Sequence, residues 1–500
     1  MLSAGLLAFV VLLYFGLLLA VAWRTSRQAD SQAFYVGNRR SHWALVAFGM
    51  IGTSLSGVTF VSVPGAVGAS GFGYLQIALG QLIGYAVIAA VLLPLYYRLQ
   101  VTSIYGVLAA RLGPRSHRTG ALFFIASRTL GATARLYLVV RILQDTILDR
   151  LGLPFWATTL ILVAMIVLYT LEGGVKTIVW TDTLQTAGML GGLAVCIVML
   201  LGALQLEPLQ ALQRMQSQGL ATVWGTDPAS RAFWLKQIAA GAFIAIAMTG
   251  LDQEMMQKNI SVASVGGAQK NMLAMAAVML GVVVAFLYLG GLLHLFAQQA
   301  GLAARGDRLF PAVVMGYLPA AVQLVFVVAL ISALFPSADG ALTALTASTC
   351  LDLLGPREPR GDAAAGTGTG RGEFARTRLR RRVHLGFAAL FVALVMVFRW
   401  IDDASMVFLI LKLAGYTYGP LLGLFAFALW PGRRVDDRRA PWVALAAPAL
   451  CALVDFNQRA LFGRYEIGLE LLLLNGVITF AGLWALSRPA DQNRVLGRAR

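Results

Sequence analysis

The chain has 500 residues, of which 58% are hydrophobic and only 13% charged, whereas average globular usage is about 25% charged. That balance excludes a soluble globular protein and leaves an all-α polytopic membrane protein. The formal net charge of +17 is read as topology rather than nucleic-acid binding, because Lys and Arg collect on one side of a multi-span chain.

Crossing ~30 Å of hydrocarbon takes about 20 apolar residues. Taken in order, about 13 such windows appear: 2–22, 43–69, 73–97, 119–144, 153–171, 181–204, 233–257, 271–297, 320–352, 384–400, 404–430, 441–456 and 466–487. No Lys or Arg precedes the first window, while Arg24, Arg27, Arg39 and Arg40 follow it. It therefore reads as an uncleaved anchor rather than a signal peptide, with the N-terminus outside. Alternating sides from there puts most Lys and Arg in cytoplasmic loops and the C-terminus in the cytoplasm. The expected location is the cell inner (plasma) membrane.

The second window contains "GTSLSG" (52–57), two glycines and three hydroxyls at membrane depth. Such residues either let helices pack closely or mark a broken helix whose freed carbonyls coordinate a cation. The third window supplies Gln81, and the fourth carries Arg128 and Arg135, seven apart and so on one face. At 1.5 Å per residue Arg135 lies about 24 Å from the start at Thr119, past the midplane. A buried arginine usually calls for a carboxylate that matches its planar fork, and the partner is either structural, Asp145, Asp182 or backbone, or a carboxylate on a solute. Asp182 opens the sixth window, where a carboxylate suits a helix N-terminus.

A second interruption, "AMTGLDQEMMQ" (247–257), places Thr249, Gly250, Asp252 and Gln253 late in the seventh window. Five windows run from the second to the sixth and five from the seventh to the eleventh, and each group opens with a polar-interrupted helix. An inverted repeat produces that arrangement. The expected organisation is an extra N-terminal helix (1–22), a first five-helix repeat (43–204), a second (233–430) and extra C-terminal helices (441–487).

The ninth window holds "FPSADG". Pro336 cannot donate to the carbonyl of Ser332 and is expected to distort the turn at Ala333, releasing oxygen ligands. Asp339 is costly at that depth unless it pairs with a cation or is protonated. After this window, "GDAAAGTGTG" and "RGEFARTRLRRR" (371–382) read as a disordered, basic cytoplasmic linker (353–383) that touches anionic lipid.

Enzymatic chemistry finds no support. Cys196, Cys350 and Cys451 are far apart, the four histidines are dispersed, and no phosphate loop, dinucleotide fingerprint or nucleophile elbow stands where it could work.

Four ordered motifs, "SVPGAV", "LEGGVKTIVWTDTLQT" (171–186), "GLDQEMMQ" and "SADGALTALTAS", resemble the sodium:solute symporter family over roughly residues 28–430. The resemblance implies a LeuT-like fold of two inverted five-helix repeats with extra N- and C-terminal helices. It also implies sodium-coupled symport by alternating access, with Na+ as coupling ion and no enzymatic cofactor. The family's shared sodium site falls on the carbonyls of Gly52, Leu55 and Ala333 and on two hydroxyl positions, here Pro336 and Ser337. Only Ser337 supplies a hydroxyl. The resemblance puts Asp182 at a second cation position, and Asp339 is a further candidate for a second cation or a proton. Sialic-acid carriers of the family use an arginine on the helix of Arg135, with hydroxyls where Ser56 and Thr59 stand. Gln81 completes the candidate set, and Met248 replaces an aromatic that gates the sugar site in some members.

The expected partners are a small organic solute, first an organic anion such as a sialic or other sugar acid, the sodium ion and the lipid bilayer; no nucleic acid and no obligate protein partner is indicated. The alternatives are a proton-coupled carrier using Asp339 or Asp182, a neutral-sugar or amino-acid symporter, and a transport-dead solute sensor.

Overall fold

A computed structural model describes residues 4–26, 41–354, 370–400 and 406–489. Backbone polar groups in lipid have to be satisfied within their own segment, and the apolar windows do form helices. Among the described residues, eight helices are long and apolar enough to cross a membrane, or up to ten if each of two bent pairs is one span. The expected count of 13 is reached only by adding three shorter apolar helices, Phe155–Leu171, Ala440–Phe456 and Leu471–Ala485, so length and composition alone do not establish it.

Both interruptions are breaks. Trp43–Ser54 and Gly57–Ser70 meet at 56°, and Trp234–Gly250 and Gln253–Ile260 meet at 66°. The first breaks at Leu55–Ser56 beside Gly57; the second breaks at Leu251–Asp252 after a π-helical turn, Ile246–Gly250. Tyr74–Leu99, Pro114–Leu143 and the helix Phe155–Leu204 follow the first pair, and Val265–Gln299, Ala320–Ser348, Gly370–Phe398 and Met406–Leu429 follow the second. Each half of the expected repeat thus opens on a bent pair.

Two boundaries differ from expectation. The segment between the fifth and sixth windows is helical, so that Phe155–Leu204 runs for 50 residues without a loop. Its "EGG" looks like loop punctuation, but glycine inside a helix costs only about 1 kcal/mol. The element is not one straight rod: Tyr169 packs on Phe335 while Gly188 meets Ser332, so the two windows double back between Tyr169 and Gly188 and both pack on the same turns of Ala320–Ser348. The basic stretch 371–382 is likewise not linker: Gly370–Phe398 is one helix, because arginine is a good helix former and its charge does not stop a turn. The remainder of the expected linker, 355–369, lies outside the described residues.

Ala320–Ser348 is the central element. From Ala329 to Ser348 every residue is buried, and the helix packs on Phe155–Leu204, Pro114–Leu143 and both halves of the first pair. At the C-terminal end, Met406–Leu429 lies against Leu471–Ala485, where Gly419 has no Cβ and so admits Asn475, which would otherwise sit 2.5 Å away. Asn475 Nδ2 donates to the carbonyls of Gly415 (3.1 Å) and Tyr416 (2.9 Å). A short antiparallel strand pair, Arg433–Val435 with Ser487–Pro489, closes this region. It is held further by Arg433 Nε donating to Ser487 Oγ (2.7 Å) and by the guanidinium over the Trp484 ring.

Candidate functional site

The first break exposes backbone oxygen. Its helical ladder ends with the Leu55 amide on the Ile51 carbonyl (2.8 Å) and resumes with the Phe60 amide on the Ser56 carbonyl (3.1 Å). Among the described residues, the carbonyls of Gly52 and Leu55 therefore have no helical amide partner. The break abuts the central helix: a Cβ on Gly57 would lie 3.6 Å from the Ala333 carbonyl carbon and 3.6 Å from Leu334 Cα. Ser337 is one turn on, with Oγ donating to the Leu334 carbonyl (2.9 Å). Pro336 lies inside a helix that stays continuous to Ser348; the lost amide does not unwind it. Ser332 Oγ beside this turn donates to the Tyr14 hydroxyl (2.7 Å).

Asp339 does not share the Ser337 face. Two residues turn a helix by about 200°, and its carboxylate accepts instead from the Tyr169 hydroxyl (2.7 Å) and the Gly340 amide (2.5 Å). Sequence reading joined these two side chains in one stretch; the fold sends them apart.

A chain of buried charges runs across the core. Asp182 Oδ2 accepts from Lys258 Nζ (2.7 Å) and from Thr53 Oγ1 (3.1 Å). Lys258 also reaches Glu254 Oε1 (3.4 Å), whose other oxygen takes Arg128 Nη2. Arg128 lies 3.8 Å from Asp252 Oδ2, which accepts from the Tyr418 hydroxyl (2.6 Å), while Asp252 Oδ1 caps the next helix at the amides of Glu254 (2.9 Å) and Met255 (3.2 Å). None of these charged side chains exceeds 5% exposure. Ions held this far from water need partners with good geometry, and each has one.

The pair of arginines is split by this arrangement. Arg128 is consumed by carboxylates, whereas Arg135, among the described residues, makes no hydrogen bond or ion pair. Neither Asp145 nor Asp182 reaches it: Asp145 is 3.9 Å from Arg141 and Asp182 holds Lys258. Arg135 lines a narrow cavity of about 90 Å³ together with Ser56, Thr59, Gln81, Met248 and Tyr74. All four side chains expected to face a solute therefore line one space, at the first break. Tyr74 also borders a second, wider cavity of about 700 Å³ lined by Trp224, Arg231 and Lys412.

Lys258, Glu254, Tyr418 and Tyr169 escaped sequence reading. Lys258 stands one residue past the seventh window, where it counted as a loop charge. The signal that could have found it is the i,i+4 spacing of Glu254 and Lys258, a stabilising pair on one helix face.

The model of the sodium:solute symporter family matches residues 34–435. The human sodium/iodide cotransporter is 29% identical over 51% of this chain and 40% of its own length, and a sodium/sialic acid symporter from Aliivibrio fischeri is 29% identical over 37% of this chain and 36% of its own. The chain thus spans less than half the length of these curated relatives. Among solved structures, a Na+-coupled sialic acid symporter in a substrate-bound outward-open state superposes with a TM-score of 0.81, at 18% identity, over 97% of this chain and 99% of that one. At that identity the likeness concerns the fold.

Proposed function

From the premise that the chain belongs to the sodium:solute symporter family, we propose that it is a sodium-coupled symporter of a small organic anion, working by alternating access. Arg135 carries the proposal: an arginine with no protein partner among the described residues, inside a cavity that also presents Ser56, Thr59 and Gln81. A guanidinium without a carboxylate is suited to receive one from a solute, and its planar fork matches that shape. Ser56, Thr59 and Gln81 would hydrogen-bond the hydroxyls of a sugar acid. The relatives named for sialic acid and for iodide, both anions, agree with this reading without choosing between them.

Sodium would sit where the Gly52 and Leu55 carbonyls face the Ala333–Ser337 turn, since carbonyl and hydroxyl oxygens suit a hard cation. Binding there holds the first broken helix against the central helix and so favours the state in which Ser56 and Thr59 are placed for the solute. Coupling is the difference in sodium affinity between the two states. The proposed placement is multi-pass in the plasma membrane, and the loop charges favour an N-terminus outside. The test is a thermal-shift and uptake screen of sugar acids, other carboxylates, neutral sugars and amino acids with and without sodium; stabilisation by neutral solutes alone would remove the anion reading.

A further inference from the structure

Asp182 already has a cation beside it. Lys258 Nζ lies 2.7 Å from Asp182 Oδ2, 2.7 Å from Thr53 Oγ1 and 3.4 Å from Glu254 Oε1. The lysine side chain is 3% exposed and that of Asp182 0%. An ammonium has three donors and no acceptor, and here its contacts end on three oxygens. They come from different elements: Thr53 from the last turn before the first break, Asp182 from the helix Phe155–Leu204, and Glu254 from the same short helix as the lysine. Two carboxylates and a hydroxyl around one positive centre resemble the oxygen shell of a hard cation, except that this centre is held by a covalent stem.

We propose that Lys258 is a built-in occupant of the second cation position, so that the carrier takes one sodium ion, at the first break, and none at Asp182. The inference rests on the sodium-symport reading above and fixes its stoichiometry. Asp182 Oδ1 is buried and has no hydrogen-bond partner among the described residues, yet the other oxygen of the same carboxylate holds the ammonium at 2.7 Å. A second ion there would face that ammonium at close range without water to screen the repulsion. A tethered cation also stays behind when the carrier turns over, and the charge moved with each solute is correspondingly lower.

Equilibrium binding of radioactive sodium to the purified, empty carrier tests this. The wild type is expected to bind one ion per carrier, and the Asp182→Asn/Lys258→Met double variant, which removes the pair together, also one. Lys258→Met alone frees Asp182 and should bind two. Two ions on the wild type falling to one on the double variant would overturn the inference and leave sodium symport standing. A wild type that binds none would overturn both. The wild-type and double-variant counts decide the matter even if the single variant does not fold.

Discussion

Gly340 and Glu254 meet so closely that no side chain fits between them: a Cβ on Gly340 would lie 2.2 Å from Glu254 Oε1. That carboxylate links Arg128 to Lys258, so the missing methyl on the central helix is a condition for the charge chain. Gly340→Ala should lower stability by about 1–3 kcal/mol, the usual cost of overpacking. A lower melting midpoint of the empty carrier, partly restored by the shorter side chain of Glu254→Asp, is the expected result. Unchanged melting would show that Glu254 relaxes freely.

The two arginines should separate cleanly. Arg135→Ala removes a group with no protein partner, so the melting of the empty carrier and its stabilisation by sodium should be retained. Affinity for the transported anion should fall by ~1.5–3 kcal/mol, the worth of a charge-assisted bond. Arg128→Ala instead strands Glu254 beside Asp252 and should cost about 3–5 kcal/mol of stability. Equal effects of the two substitutions on melting would remove Arg135 from the solute site.

At the sodium position, Ser337→Ala deletes the one hydroxyl on the turn and should raise the sodium concentration needed for half-maximal stabilisation. Pro336→Ser should be tolerated, since the helix is already continuous there, and the added hydroxyl should tighten sodium binding. Sodium-dependent thermal shifts of both variants measure this. If Ser337→Ala binds sodium like the wild type, the ion lies elsewhere.

Asp339 is bonded to Tyr169 on the far side of the central helix from Ser337. Asp339→Asn should therefore leave the sodium half-activation of uptake unchanged. Weaker sodium activation at every pH would instead return Asp339 to the sodium shell.

The breaks and the repeat order were legible because each depends on local chemistry, glycine with hydroxyls at membrane depth and a five-and-five count, whereas Ser56, Thr59 and Arg135 were named from the family resemblance. The charge chain was not legible, because a hydropathy window weighs residues one by one and ended at Gln257. Lys258 becomes a membrane-buried ion only when Asp182, 76 residues earlier, folds against it. The division of Ser337 from Asp339 is a matter of helical phase, which adjacency in "FPSADG" conceals. The continuous helix through 172–176 was obscured by glycines that mark loops in one context and are tolerated in another.

The strand pair at 433–435 and 487–489 fastens both ends of a segment that includes two C-terminal helices, and Asn475 and Gly419 lock one of those helices to Met406–Leu429. Met406–Leu429 also lends Val407, Ile410 and Leu411 to the wall of the cavity that holds Arg135. The wall is thus one face of a braced truss rather than a free rod. Tilting it means swinging the whole C-terminal assembly through lipid, so bilayer viscosity and the tightness of the brace, and not only the ions, would set the pace of each cycle.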